Sequence, residues 1–129
     1  MIVVDASAIT EVLLARSRAA AIRAALSLHS EVYVPAHFHA EVLSALRRYS
    51  LRNELSDLGT AEALAKLSDL RALTYPLREL TRPIWELRFN LTTYDAAYLA
   101  LARRLDAGLI TLDGALAEAA ARDGRLIGV

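Results

Sequence analysis

The chain has 129 residues, of which 55% are hydrophobic, and its 15 basic side chains balance its 15 acidic ones. This length and composition predict a single domain over residues 1–129 with a substantial buried core. The zero net charge argues against a long basic groove that holds nucleic acid through phosphate contacts alone, but it allows a nucleic-acid substrate that is held locally. Because the chain has no cysteine, disulfides and thiolate metal sites are excluded.

Nothing in the sequence indicates a membrane or an export route. A strand begins at Ile2, which leaves no room for a targeting segment, and no apolar run reaches membrane-spanning length. The lack of cysteine also suits a reducing compartment. We therefore expect a cytoplasmic protein with no membrane partner.

Strands and helices are predicted in alternation along the chain. Short β-branched runs indicate strands, whereas alanine- and leucine-rich runs with apolar residues at helical spacing indicate helices. In chain order we predict strand 2–5, helices 7–15 and 18–29, strand 31–35, helices 36–52 and 57–69, strand 72–75, a helix opening at 81, helix 94–105, strand 109–112, helix 115–122 and strand 125–129. This order predicts a three-layer α/β/α domain with a central, mostly parallel sheet of four to five strands.

Polar residues mark where several of these helices begin. Ser7 is expected to cap the first helix, and Thr92 or Thr93 is expected to cap the predicted helix 94–105. Asp95 then falls in the first turn of that helix, where the dipole favours a negative charge. Glu41 lies beside the buried face of the long third helix.

Two of the predicted strands end in an acid. Asp5 follows Ile2-Val3-Val4, and Asp113 follows the apolar run 109–112. In open α/β sheets, ligands bind beyond the carboxyl ends of the strands, at the point where the strand order reverses. We therefore expect Asp5 and Asp113 to be neighbours at that edge.

Convergence of these two acids with Glu41 and Asp95 would demand a cation. Taken singly, Asp95 is explained as a helix-start residue and Glu41 as a solvated one, so each alone is a weak signal. Two carboxylates at ~5 Å repel by roughly 3 kcal/mol at an effective dielectric of ~20, which protonation or a bound cation must relieve. An all-oxygen set favours Mg²⁺ or Mn²⁺ over zinc, and metal-assisted attack of water on a phosphodiester is the reaction that fits.

The motifs that carry these acids resemble those of a known family. Asp-Ala-Ser at 5–7, Glu41, the segment 91–102 with Tyr-Asp-Ala at its centre, and Leu-Ile-Thr-Leu-Asp at 109–113 are together similar to the PIN-domain ribonucleases. More narrowly, the chain resembles the VapC toxins of VapBC toxin–antitoxin modules, over essentially its whole length.

The resemblance implies an Mg²⁺- or Mn²⁺-dependent endoribonuclease that acts on structured cellular RNA such as tRNA or rRNA. It also implies a VapB-like antitoxin that covers the site in a hetero-oligomer. By motif position, the metal-binding and catalytic acids are Asp5, Glu41, Asp95 and Asp113. Ser7 and Thr111 match the hydroxyl residues that support the acids.

Other side chains are harder to assign from sequence. All the cationic residues except Lys66 are arginines, which suit phosphate contacts. The candidates for such contacts are Arg16, Arg18, Arg47, Arg48, Arg103 and Arg104. His37 is interpreted as a capping or surface residue, and Tyr94 and Tyr98 as packing residues. The apolar second and fourth helices suggest a homodimer or an antitoxin groove, with core packing as the alternative.

Three competing functions share this pattern of acids. A receiver-like signalling domain needs an aspartate after the third strand, where Pro76 and Leu77 stand, and a lysine after the last long strand, whereas Lys66 lies in a helix. A haloacid-dehalogenase-like phosphatase needs a second aspartate where Ser7 stands. A binding module without activity stays open, and a cleavage assay distinguishes it from a nuclease.

Overall fold

A computed structural model describes all 129 residues of the chain. Its strands are short and its helices enclose them. In chain order the elements are β1 Ile2–Val4, α1 Ala6–Leu13, α2 Ala19–Ser27, β2 Val32–Pro35, α3 Phe38–Leu51, α4 Asp57–Asp69, β3 Ala72–Tyr75, a 3₁₀ turn Leu77–Leu80, α5 Thr81–Glu86, α6 Thr93–Leu105, β4 Gly108–Ile110 and α7 Gly114–Arg122. No helix is both long enough and apolar enough to cross a lipid bilayer.

The four strands form one parallel sheet in the order β3-β2-β1-β4. Val3 of β1 pairs with Tyr33 on one side and with Leu109 on the other. The chain therefore adds strands in one direction from β1 to β3 and then returns to the opposite side of β1. The strand order reverses between β1 and β4, so the residues after these two strands flank the switch point.

The core is densest around the central strand. All three residues of β1 are fully buried, which requires cover on both faces of the sheet and confirms the α/β/α arrangement. Helix α6 supplies much of this cover, because it contacts β1, β2 and β4. Every residue of α6 from Ala96 to Ala102 is buried. Small alanines in this run allow the helix to approach the sheet closely.

The predicted strand 125–129 is wrong. Only one bridge forms there, between Leu109 and Leu126, although it is parallel as expected. The Leu109 amide donates to the Arg125 carbonyl, and the Ile127 amide donates to the Leu109 carbonyl. Gly128 adds no side chain that would hold a longer strand on the sheet.

Two local predictions at the switch point are also wrong. Helix α1 begins one residue after Asp5, which is its N-cap, so Ser7 lies inside the first turn and does not cap the helix. Strand β4 ends at Ile110, so Asp113 lies in a short connection and caps α7 with its own side chain. The cap at Thr92 is confirmed, since its hydroxyl accepts from the Asp95 amide at 3.2 Å.

Candidate functional site

One cavity of about 690 Å³ contains all four of the acids selected from the sequence. Asp5 comes from the end of β1, Glu41 from α3, Asp95 from α6 and Asp113 from the start of α7. Ser7 lines the cavity beside them, whereas Thr111 lies just behind Asp5. The switch point brings these elements together because β1 and β4 are neighbours.

Asp5 is the most deeply placed of the four acids, with only 4% of its surface exposed. Its Oδ2 accepts hydrogen bonds from the Ser7 hydroxyl at 2.6 Å and from the Thr111 hydroxyl at 2.7 Å. Burial raises the pKa of Asp5, and the nearby charges of Glu41 and Asp113 raise it further, against the lowering effect of the two hydroxyls. Because both hydroxyls bind Oδ2, Oδ1 is left to interact with a ligand.

A chain of hydrogen bonds joins the end of β4 to the start of α1. The Leu112 amide donates to the Ser7 hydroxyl oxygen at 3.0 Å, and the Asp113 amide donates to the Thr111 hydroxyl oxygen at 3.0 Å. Each of these two hydroxyls therefore accepts one hydrogen bond from a backbone amide and donates one to Asp5 Oδ2. The arrangement fixes the backbone around Asp113 relative to Asp5, which is the supporting role proposed for Ser7 and Thr111.

Asp95 carries the largest shift among the acids. Burial, followed by repulsion from Asp113 and then Asp5, raises the pKa of Asp95 to about 6. The charges of all three other acids contribute to this raised pKa, so Asp95 lies within electrostatic range of each of them. A cation placed among them would relieve this repulsion.

Glu41 is held in a different way, by two donors on one oxygen. The Tyr98 hydroxyl donates to Oε1 at 2.6 Å, and His37 Nε2 lies 3.1 Å from the same atom. Burial acts to raise the pKa of Glu41, but the hydrogen bonds from His37 and Tyr98 and the charge of His37 outweigh it, so the pKa is lowered. Oε2 accepts no hydrogen bond from the protein, and Glu41 lines the cavity.

His37 and Tyr98 are site residues that the sequence interpretation missed. The predicted capping or surface role of His37 is wrong: it occupies the N-cap position of α3, but its side chain makes no capping hydrogen bond and is only 11% exposed. Nε2 lies 3.1 Å from the Tyr94 carbonyl oxygen as well as from Glu41. Tyr98 is fully buried, as expected of a packing residue, but its hydroxyl also binds Glu41. Tyr94 is 62% exposed and is not a core residue. The spacing of His37 and Glu41, four residues apart, was the available signal.

The donor set suits a hard cation. Every acid contributes carboxylate oxygens, and no cysteine exists to favour zinc. No three acidic or histidine side chains come close enough together to hold an ion by themselves. Mg²⁺ fits such a site, because it takes one or two carboxylates directly and keeps several waters.

Comparisons with known proteins agree with this geometry. A family model described as PIN domain matches residues 2–122. Among solved structures, Mycobacterium tuberculosis VapC20, described as a Sarcin-Ricin loop cleaving toxin, has a TM-score of 0.69 at 18% identity, over 92% of this chain and 95% of that one. PAE2754 from Pyrobaculum aerophilum has a TM-score of 0.66 at 25% identity, over 91% and 77%. The fold is therefore the PIN fold.

Curated relatives narrow the assignment. The VapC ribonuclease Mb0985 of Mycobacterium bovis is 41% identical over 118 residues, which are 92% of this chain and 90% of that protein. Ribonuclease VapC12 of Mycobacterium tuberculosis is 40% identical over 119 residues, 92% and 91% of the two chains. The chain belongs to the VapC ribonucleases of the PIN-domain family, as its motifs predict.

Proposed function

We propose that the protein is an Mg²⁺- or Mn²⁺-dependent endoribonuclease, the toxin of a type II toxin–antitoxin module, which cuts structured RNA such as tRNA or rRNA. The observation that carries the proposal is the single cavity that is lined by Asp5, Glu41, Asp95 and Asp113. Membership in the VapC ribonucleases supports the activity, and the all-oxygen donor set supports the choice of cation.

Each acid has a part that follows from its surroundings. Asp5 and Asp95 would hold the cation, with Glu41 and Asp113 completing its shell directly or through water. When bound, such a cation neutralises charge on the phosphate and lowers the pKa of a coordinated water. Asp5 presents Oδ1, because Ser7 and Thr111 both bind Oδ2.

The remaining groups orient the reactants. Tyr98 and His37 keep Glu41 ionised and fix its carboxylate through Oε1, so Oε2 can accept a hydrogen bond from the attacking water. Leu116 donates its amide to Asp113 Oδ2 at 3.0 Å, which holds that carboxylate at the start of α7. Preorganised carboxylates of this kind position the water without further rearrangement.

A protein partner is part of the same proposal. An antitoxin of the VapB type would cover the cavity and restrain cleavage, and we propose that the toxin itself is a homodimer. Large apolar side chains on α3 and α4 support such contacts, since Leu51 is 66% exposed and Leu58 is 71% exposed.

The experiment that tests the nuclease compares two aspartate variants on a labelled structured RNA. Asp5→Asn should abolish cleavage, with a loss of at least about 10³-fold, because it removes one charge from the cation site while it keeps the shape of the side chain. Asp69→Asn is the control, since Asp69 is exposed at the end of α4 and lies outside the cavity. Cleavage should need Mg²⁺ or Mn²⁺ and should stop in EDTA.

Circular dichroism must show that the Asp5→Asn variant keeps its fold. Cleavage that persists in this variant removes Asp5 from the mechanism. A wild-type protein that cuts none of a broad panel of RNAs with either cation would instead indicate a binding module without activity.

A further inference from the structure

The cavity that holds the acids continues along α3 and changes character. Glu41, Ser44, Ala45, Arg48 and Tyr49 all line it, which is the spacing of a single helix face. From Glu41 to Arg48 the helix rises by about 10 Å. The cavity therefore has an acidic end at the switch point and a cationic end near the last turn of α3.

Arg16 is held firmly at the cationic end. It follows α1, and its Nη1 donates to the Tyr49 hydroxyl at 2.8 Å. The guanidinium also lies over the Tyr49 ring, 5.4 Å from the ring centroid. Glu11 is its nearest carboxylate partner at 3.7 Å, a distance too long for a strong hydrogen bond. Arg16 is half exposed, and most of its donors stay available to a ligand, although Glu11 lines the same cavity beside it.

Arg48 lines the cavity at its open side, where its side chain is exposed and makes no hydrogen bond or ion pair within the protein. No carboxylate lies within 4.0 Å of its guanidinium and no acceptor receives its hydrogen bonds, whereas Arg103 binds Asp123 and Arg125 binds Asp106. An arginine that lines a cavity without a counter-ion is suited to an anion from outside.

We propose that Arg16 and Arg48 form a phosphate subsite that binds the RNA backbone at a neighbouring nucleotide, away from the bond that is cut. This inference rests on the nuclease proposed above and names how its substrate is held. The acidic end repels phosphate unless a cation is bound, so the cationic end gives the RNA strand a second attachment point. A polyanion can contact both ends because they lie in one continuous cavity.

The lining favours RNA over a protein segment as the occupant. The part of α3 between the two ends contributes Ser44 and Ala45, which are small and offer no deep apolar pocket for a side chain. Tyr49 adds an aromatic ring beside the Arg16 guanidinium, and arginine with an aromatic ring is a combination found where single strands bind.

Binding to a fluorescein-labelled 12-nucleotide oligouridylate tests the subsite independently of cleavage. In the Asp5→Asn background, which prevents hydrolysis, Arg48→Ala should weaken binding about tenfold and reduce the slope of log Kd against log salt by about 0.7. Arg47→Ala is the matched control: it removes the same charge from the adjacent position of the same helix, but Arg47 is exposed outside the cavity. It should change both quantities much less.

Cleavage kinetics provide the second arm. On an RNA that the wild-type protein cuts, Arg48→Ala and Arg16→Ala should raise KM about tenfold and leave kcat within about twofold. Each removes a contact that binds the substrate and the transition state equally well. Arg48→Lys should recover only part of the loss, since lysine lacks the bidentate geometry. Melting temperatures must stay within the range of the Arg47→Ala variant.

The outcomes separate this inference from the nuclease itself. If RNA is cut but Arg48→Ala binds the oligonucleotide and the substrate as the Arg47→Ala control does, the subsite is overturned, and Arg48 is left to a protein partner or to solvent. If no RNA is cut but Arg48→Ala weakens binding of the oligonucleotide, the phosphate subsite is supported and the proposed nuclease activity is contradicted. If the oligonucleotide does not bind the protein in 50 mM salt, the subsite is overturned as well.

Discussion

At the scale of single residues, the two oxygens of each key carboxylate are treated differently. Asp5 accepts the hydrogen bonds of both hydroxyls on Oδ2, and Glu41 accepts those of Tyr98 and His37 on Oε1. One oxygen of each acid is thereby used to fix the side chain, and the other remains for a ligand. Such one-sided support positions a metal-binding carboxylate and is as much a part of the site as the acid itself.

The raised pKa of Asp95 means that its ionised form destabilises the folded protein. In the folded protein the pKa is about 6, whereas the ordinary value is 3.8. Between these values the folded protein keeps a proton that the unfolded chain has released, so stability falls as the pH rises through this window, and the loss persists at neutral pH.

Asp95→Asn should therefore stabilise the metal-free protein. We expect the free energy of unfolding at pH 7 in EDTA to rise by about 1 kcal/mol, a value reduced for the partial exposure of the side chain, while cleavage is lost. Urea denaturation at pH 7 and pH 4 measures this, and the gain should shrink at the lower pH. Asp57→Asn is the control, because Asp57 also lies in the first turn of a serine- or threonine-capped helix but has no acidic neighbours in the cavity. Equal stability of the wild type and Asp95→Asn at pH 7 would contradict the repulsion.

At the scale of elements, Asp113 shows that one side chain can serve the fold and the site. Its Oδ2 accepts the Leu116 amide and so caps α7, while the same carboxylate faces Asp5 and Asp95 across the cavity. A helix that begins at the end of the sheet therefore supplies an acid whose orientation is set by the capping bond.

Two substitutions of Asp113 separate these roles. Both substitutions remove the repulsion between Asp113 and Asp95, but only Asp113→Asn keeps an oxygen that can cap α7, so Asp113→Ala should be about 1 kcal/mol less stable than Asp113→Asn. Both variants should cleave RNA far more slowly, because both remove the charge. Thermal denaturation in EDTA measures the first effect, and initial rates measure the second. Equal stability of the two variants would show that the cap is not important.

The sequence predicted elements better than it predicted how their ends are used. The strand-end rule located Asp5 and Asp113 at one edge, because parallel strands present their carboxyl ends together. The capping rule failed for Ser7, which has the right residue type for a cap but lies in the first turn of α1, where its hydroxyl donates to Asp5. A local pattern cannot distinguish a cap from a tertiary hydrogen bond when the helix start shifts by two residues.

At the scale of the whole molecule, the site depends on contacts between distant parts of the chain. Thr111 lies 106 residues from the Asp5 that it supports, and Tyr98 lies 57 residues from Glu41. Such pairs follow from the strand order and from the packing of α6 on the sheet, which periodicity alone does not determine. The motif resemblance identified the acids, but their hydrogen-bond partners required the three-dimensional arrangement.

The fold as a whole should respond to the proposed cation, because the ion would bind the folded protein and not the unfolded chain. At a concentration 100 times its Kd, a ligand stabilises the native state by about 2.7 kcal/mol. We therefore expect saturating Mg²⁺ or Mn²⁺ to raise the Tm of the wild-type protein by several degrees, with EDTA reversing the shift. The double variant Asp5→Asn with Asp95→Asn should melt at the same temperature with and without the cation, because the charges that attract it are gone. Asp69→Asn should keep the full shift. A shift of wild-type size in the double variant would mean that the ion binds outside the cavity, and no shift in the wild type with either cation would contradict the proposed metal dependence.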